Sequence, residues 1–111
     1  MPKITDCDYI IAFEKVILPI ANQFDPELVI ISCGFDAMPK DPLGNMKLTP
    51  RVYHYMTKQL LNFAQYSLYR GKMVVALEGG YKMANLLAGS EAVVRALLGE
   101  DFNPSNYAKE L

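Results

Sequence analysis

The sequence is poor in the residue types on which most enzymatic metal sites depend. Its 111 residues include one histidine, His54, and two cysteines, Cys7 and Cys33. Two cysteines are too few for a disulfide framework, which makes a reducing, intracellular compartment the default expectation. Because histidine is the commonest metal ligand in proteins, a single one leaves the chain little catalytic metal chemistry of its own.

An excess of one charge and a long apolar run are also lacking. The net charge is −1, which argues against direct nucleic-acid binding through a general basic field. Glu14, Lys15 and Pro19 interrupt the richest apolar stretch, so no run reaches membrane-spanning length, and the first eight residues contain no apolar signal core. With 51% apolar and 21% charged residues, the composition is that of one folded, non-secreted domain without a membrane segment.

Apolar residues at helical spacing predict three amphipathic helices. The first is expected over residues 5–21, with a kink or an end near Pro19. The second begins at Thr49-Pro50, a strong helix start, and ends before Arg70. The third runs over about residues 84–98, with Gly99 at the position of a C-terminal stop.

Two short apolar runs, residues 28–33 and 72–77, are rich in β-branched residues and bounded by turn signals. They predict strands buried on both faces, joined to the helices by a long loop over residues 34–48. Strands that alternate with helices indicate an α/β fold with a parallel sheet. Since a parallel sheet normally has more than two strands, we expect part of a larger doubly wound fold or a chain that pairs with another.

Candidate site residues follow the two strands, because ligands of open parallel sheets bind outside the carboxyl ends of the strands. Asp36 suits a metal ligand or a general base, and its alternative is a turn residue that binds its own backbone. Tyr81 follows Gly79-Gly80 and suits hydrogen bonding to a developing oxyanion, with a surface aromatic as the alternative. The two glycines could also hold a phosphate, but the established nucleotide-binding spacings are absent.

The remaining candidates indicate packing rather than chemistry. His54 has no histidine or cysteine three or four residues away, which favours a surface or half-buried helical residue over a metal ligand. Cys33, at the end of a strand, is expected to pack as a small apolar residue. Cys7 has no visible acid–base partner.

Several stretches in register resemble the C-terminal part of class II histone deacetylases, over about residues 6–100. They are Ser32-Cys33-Gly34-Phe35-Asp36-Ala37, Asp41-Pro42-Leu43-Gly44 and Leu77-Glu78-Gly79-Gly80-Tyr81. The resemblance implies an arginase/deacetylase-like three-layer α/β fold, of which this chain holds a partial parallel sheet in the order helix-strand-helix-strand-helix. Residues 1–111 then form a single segment, the C-terminal portion of the deacetylase domain, with a loose tail over residues 100–111.

The resemblance also implies zinc-dependent hydrolysis of acetyl-lysine amides on histones or other proteins, in the nucleus or the cytoplasm. It makes Asp36 a zinc ligand and Tyr81 the residue that polarises the substrate carbonyl. Leu43 would line the acyl-lysine channel above Gly79 and Gly80. Tyr81 marks the active type, because a weakly active branch carries histidine there. Leu43 favours acetyl-lysine over acetylpolyamines, whose enzymes carry an acidic residue at that position.

The family's paired histidines and its Asp-x-His zinc ligands lie upstream of the matched region. One carboxylate cannot hold a catalytic zinc, which needs three protein ligands. The isolated chain is therefore expected to be inactive and to bind zinc poorly. The alternatives are a truncated isoform, a non-catalytic interaction module that pairs with the missing N-terminal part of the domain, and, less favoured, an acetylpolyamine amidohydrolase.

Overall fold

The computed structural model describes residues 3–66 and 72–101. The elements follow in the order α1 (Asp6–Ala12), a π-helical segment (Phe13–Ile17), α2 (Leu18–Phe24), β1 (Val29–Cys33), α3 (Pro50–Tyr66), β2 (Met73–Leu77) and α4 (Met83–Leu97). β1 and β2 pair in parallel, so that Val29 lies opposite Met73 and Cys33 opposite Leu77. The predicted α/β class and parallel pairing are confirmed.

Two predictions fall on residues outside this part of the chain. They are the end of the second helix near Arg70 and most of the C-terminal tail, of which only Glu100 and Asp101 are described. Within the described ranges no helix combines the length and the apolar character needed to cross a membrane.

The N-terminal helix continues past Pro19 to Phe24, beyond its predicted end at residue 21. Proline lacks an N–H, and its ring crowds the carbonyl four residues earlier in a regular α-helix. Here the π-helical segment ends at Ile17, two residues before the proline, and the Leu18 N–H binds the carbonyl of Phe13, five residues back. This wider turn accommodates the proline without ending the helix.

The two-sided burial predicted for the strands is wrong for this chain. One face of the sheet, with Ile31, Cys33 and Val75, packs into the core. The opposite face carries Ile30 and Val74, and both side chains are exposed. Burial of a second sheet face requires another layer of structure, and no element within the described residues provides it.

The core lies where α3, α4 and the loop after β1 meet. Phe35 is only 2% exposed, and its ring packs on Tyr53 of α3 with the centroids 4.9 Å apart. The same ring lies so close to Gly89 of α4 that an added Cβ there would overlap it. Because Phe35 directly precedes Asp36, this packing fixes the start of the loop that carries the candidate site.

Hydrogen bonds to Asp6 of the N-terminal helix and to Ile4 just before it hold the other end of this loop. The Thr49 amide donates to Asp6 Oδ1 at 2.8 Å, and the Thr49 hydroxyl donates to Asp6 Oδ2. The Lys47 amide donates to the carbonyl of Ile4 at 2.9 Å. α3 then begins at Pro50, as its sequence predicts.

Candidate active site

The loops that follow β1 and β2 begin side by side. The Glu78 amide donates to the Cys33 carbonyl at 2.9 Å, and the Phe35 amide donates to the Gly79 carbonyl at 2.9 Å. These two bonds continue the parallel ladder beyond the strands themselves. The carboxyl ends of both strands, and with them Asp36 and Gly79, therefore lie at one edge of the sheet.

The Asp36 carboxylate lies directly against the glycine loop. An ideal Cβ on Gly79 would sit 2.9 Å from Asp36 Oδ2, and one on Gly34 would sit 3.2 Å from Asp36 Oδ1. The carboxylate thus occupies space that side chains at these two positions would need. Asp36 lies in a turn closed by the Met38 amide, which donates to the Phe35 carbonyl at 3.3 Å, but within the described residues no backbone N–H of this loop donates to the Asp36 carboxylate itself.

Glycine is required at position 80 for two reasons. Its φ is +137°, a conformation that other residues rarely adopt, and a Cβ would lie 2.7 Å from Leu86 Cδ2. Tyr81 follows at the point where the chain turns toward α4, and its side chain is 58% exposed. The phenol therefore lies at the protein surface beside the glycine loop.

Leu43 and Tyr81 are connected through a residue that the sequence patterns did not single out as a site residue. Asp41 is buried, with 6% exposure. Its Oδ1 accepts the Leu43 N–H at 2.8 Å and the Gly44 N–H at 3.0 Å, while its Oδ2 accepts the Tyr81 N–H at 2.9 Å. The signal in the sequence was the Asp-Pro-x-Gly spacing, which favours a turn bonded to the aspartate side chain.

The hydrogen bonds also determine the charge state of this aspartate. Burial raises the pKa of Asp41, but the backbone N–H groups of Tyr81, Gly44 and Leu43 outweigh it, and the pKa ends below its usual value. Asp41 is therefore a carboxylate at neutral pH, with both oxygens engaged by the backbone. Leu43 itself is 72% exposed and points out of the turn that Asp41 organises.

A cleft of about 320 Å³ adjoins Asp36 on the side of α1 and α3. Tyr9 and Tyr53 bring phenol groups to its wall. Burial, followed by the neighbouring Cys33, Tyr9 and Asp36, raises the pKa of Tyr53 well above its ordinary value. The Tyr53 phenol is therefore neutral at physiological pH and is unsuited to act as a base.

The described residues do not fit a complete metal site, since they contain no cluster of three or more histidine, cysteine, aspartate or glutamate side chains. Asp36 is a single candidate ligand. The oxygens of Asp41 are engaged as above. Cys33 is buried, and burial raises the pKa of its thiol, which disfavours the thiolate that binds metals.

His54 was expected to be a surface or half-buried helical residue, but it is completely buried. Its Nε2 lies 2.9 Å from the carbonyl oxygen of Glu100. Since a carbonyl can only accept, Nε2 must carry the proton. The packing of α3 on α4 produces this burial, and the imidazole holds the chain that follows α4.

Comparison with known proteins places this geometry in a family. The family model described as the histone deacetylase domain matches residues 1–97. The chain is 46% identical to histone deacetylase clr3 of Schizosaccharomyces pombe over 94 residues, and 50% identical to histone deacetylase 15 of Arabidopsis thaliana over 101 residues. These matches cover 85% and 91% of this chain but 13% and 17% of the relatives.

Comparison with solved structures leads to the same family as the sequence comparison. The structure of the histone deacetylase Clr3 superposes with a TM-score of 0.83 at 42% identity, covering 93% of this chain and 16% of that one. The crystal structure of the HDA15 HD domain superposes with a TM-score of 0.82 at 47% identity, covering 90% of this chain and 27% of that one. The chain therefore spans a minor part of the proteins it matches. By sequence and by fold, it belongs to the histone deacetylase family.

Proposed function

We propose that this chain supplies one side of the active site of a zinc-dependent lysine deacetylase, which hydrolyses acetyl-lysine amides on histones or other proteins. The observation that carries the proposal is the contact of the Asp36 carboxylate with Gly79, two residues before Tyr81. It brings a candidate ligand and a candidate oxyanion donor to the same edge of the sheet, where parallel sheets bind ligands.

Asp36 is proposed as a metal ligand. Its carboxylate is half-buried and free of turn hydrogen bonds, so its oxygens remain available to a cation. Gly34 and Gly79 leave the space that the carboxylate fills. The resemblance to class II histone deacetylases implies zinc as the metal, and a catalytic zinc requires three protein ligands. Since the described residues contain no cluster of three candidate ligands, at least one further ligand must come from outside them, and we expect the isolated chain to be inactive.

Tyr81 is proposed as the donor to the oxyanion that forms when the amide carbonyl is attacked. Its exposed phenol follows two glycines that leave room for a substrate to approach. Such a donor acts where negative charge develops, and the loss of one typically lowers kcat by about 10²- to 10³-fold. Leu43, Gly79 and Gly80 are proposed to line the channel for the acyl-lysine side chain.

The test compares the chain alone with a completed domain, in which the chain is fused to the preceding part of the catalytic domain of Arabidopsis histone deacetylase 15. Zinc content is measured by mass spectrometry, and turnover with an acetyl-lysine peptide. We expect turnover only from the completed domain. Stoichiometric zinc and clear turnover in the isolated chain would contradict the expected inactivity. A folded, zinc-loaded completed domain without hydrolysis would refute the proposed function.

Two variants of the completed domain separate the proposed roles. Asp36→Asn is expected to lose both zinc and activity. Tyr81→Phe is expected to retain zinc and to lose about 10²- to 10³-fold in kcat. Tyr55→Phe is the matched control, because it removes a phenol that donates to Glu14 rather than to any of the proposed site residues, and it should leave kcat unchanged.

The substrate class depends on Leu43 in this proposal. Its exposed, apolar side chain offers no charge to a polycationic substrate, which favours acetyl-lysine over acetylpolyamines. The completed domain is therefore expected to prefer acetyl-lysine peptides. A preference for acetylpolyamines would instead support the amidohydrolase alternative. A nuclear or cytoplasmic location is proposed with this substrate, and imaging of a tagged chain tests it.

A non-catalytic role is the second candidate, and the exposed sheet face favours it. Ile30 and Val74 present apolar surface that a further layer would bury. A chain of this kind could complement a separate N-terminal part of the domain. Size-exclusion chromatography with and without that part distinguishes the two: co-elution without gain of activity supports the interaction role, and monomeric behaviour in both mixtures contradicts it.

A further inference from the structure

A single buried carboxylate connects the backbones of the residues proposed to meet the substrate. Asp41 accepts N–H groups from Leu43 and Gly44 on one oxygen and from Tyr81 on the other. Leu43 and Gly44 belong to its own turn, whereas Tyr81 lies forty residues away along the chain. The bond to Tyr81 is therefore a tertiary contact between the two strand-end loops.

The same turn also touches the backbone of Asp36. An ideal Cβ on Gly44 would overlap the carbonyl oxygen of Asp36, so the turn packs directly onto the chain at that residue. Gly44 allows this approach because it has no side chain. The turn around Asp41 thus lies between the proposed ligand, Asp36, and the proposed oxyanion donor, Tyr81.

We propose that Asp41 is a positioning residue of the active site, which holds the backbone of Tyr81 in fixed register with Leu43 and Asp36. The inference rests on the proposed function, because it assigns Asp41 a role in placing Tyr81 for that reaction. Asp41 itself touches neither substrate nor metal. Its effect is to restrict where the Tyr81 phenol can lie relative to the channel.

A carboxylate is the side chain that suits this role. Each oxygen has two acceptor sites, so one group satisfies three N–H donors at once. Bonds between an ionised acceptor and backbone N–H groups are stronger than neutral ones. The lowered pKa of Asp41 agrees with such stabilisation of its charged form. Burial at this position keeps water from competing for the same donors.

The variant Asp41→Asn separates the bonds that the carboxylate makes within its own turn from its bond to Tyr81. Asparagine has one acceptor oxygen, which the Leu43 and Gly44 N–H groups occupy in the local turn. Its NH₂ group then faces the Tyr81 N–H and cannot accept from it. Asp41→Ser is the second variant, because its hydroxyl can cap the turn but is too short to reach Tyr81. Both variants should keep the turn and release Tyr81.

The matched control is Asn85→Ala. Asn85 of α4 is buried, and its side-chain amide donates to the carbonyl of Pro39 at 2.9 Å. The control therefore removes a buried side-chain-to-backbone bond to the same loop without touching Tyr81. If Asp41 only stabilised the fold, Asp41→Asn, Asp41→Ser and Asn85→Ala would have the same effect on kcat.

Hydrogen exchange at single residues, measured in the completed domain, tests the contact itself. In the wild type the Tyr81 amide should be protected although its side chain is exposed. In Asp41→Asn it should exchange about tenfold faster, while the Leu43 and Gly44 amides stay protected. Because the wild-type measurement needs no variant, an unprotected Tyr81 amide overturns the proposal even where the variants do not fold.

Kinetics test the consequence. Per zinc-loaded molecule, Asp41→Asn and Asp41→Ser should lower kcat by about 10- to 100-fold, with KM and zinc content little changed. Asn85→Ala should keep the wild-type kcat. An active wild type with unchanged kcat in both Asp41 variants overturns the positioning role alone. A zinc-loaded wild type without hydrolysis overturns the proposed function and this role with it.

Discussion

Gly89 of α4 offers a stringent test of the core that supports the site. In the interior of an exposed helix, a glycine-to-alanine change stabilises the protein by about 1 kcal/mol. Here an alanine Cβ would overlap the ring of Phe35. The ring cannot easily move away, since it is only 2% exposed and packs against Tyr53. Two opposing effects therefore act at one position.

The relative size of these two effects determines whether Gly89→Ala stabilises or destabilises the protein. Overpacking of a tightly packed core costs about 1–3 kcal/mol, and the overlap with several ring atoms indicates the upper part of that range. After the gain in helix propensity, we expect Gly89→Ala to lower the free energy of unfolding by about 1–2 kcal/mol. Equilibrium urea unfolding, followed by circular dichroism, measures this difference.

A control variant and a double mutant test whether the contact with Phe35 causes the loss of stability in Gly89→Ala. Ser90→Ala, at the exposed position next along α4, should stabilise by a few tenths of a kcal/mol, about the gain in helix propensity. In a Phe35→Leu background the smaller side chain leaves room, so the penalty of Gly89→Ala should shrink by about 1 kcal/mol. If Gly89→Ala alone raised the stability by the full propensity gain, the contact between Phe35 and Gly89 would not exist in solution.

Two further predictions concern the contacts of Tyr55 and Arg95 with glutamate side chains. Burial, and then the hydrogen bond to Glu14 and its charge, raise the pKa of Tyr55 to about 12. The associated stabilisation is complete below the unfolded value of 10.0 and is lost as the pH rises toward 12. Glu14→Gln should lower this pKa, as ultraviolet titration of the phenol would show, and an unchanged value contradicts the contact. Arg95 pairs with Glu91 and Glu100 at 2.8 Å and 3.0 Å on the surface, so Arg95→Ala should cost less than about 1 kcal/mol. Urea unfolding at two salt concentrations checks this, because the cost should decrease with salt.

The sequence predicted those elements whose signals are local. Thr49-Pro50 marks a helix start, and α3 begins at Pro50. Gly99 has a φ of +86° directly after the last helix, as expected for a glycine that ends a helix. The two apolar runs form the paired strands within one residue of their predicted ends. These features depend on backbone preferences and on neighbouring residues, which a sequence displays directly.

The errors arose where burial depends on distant parts of the chain. The strands were expected to be covered on both faces, but Ile30 and Val74 are exposed, since an apolar run does not reveal how many layers pack on it. His54 was expected near the surface and is completely buried, because α3 lies against α4. Pro19 was expected to kink or end its helix; the helix does not end there, because a π-helical segment precedes the proline.

For the candidate site, the sequence was enough to identify the available residue types and the ones that follow a strand. Asp36, Gly79, Gly80 and Tyr81 could be named because strand ends and glycine pairs are local patterns, whereas Leu43 was named only through the resemblance to class II histone deacetylases. Their roles in catalysis remain proposals. The contact of the Asp36 carboxylate with the backbone of Gly79, and the bond from the Tyr81 N–H to Asp41, became visible only in the folded chain. The physical reason is that hydrogen bonds and close contacts between distant segments depend on how the layers pack, and no pattern of neighbouring residues records that packing.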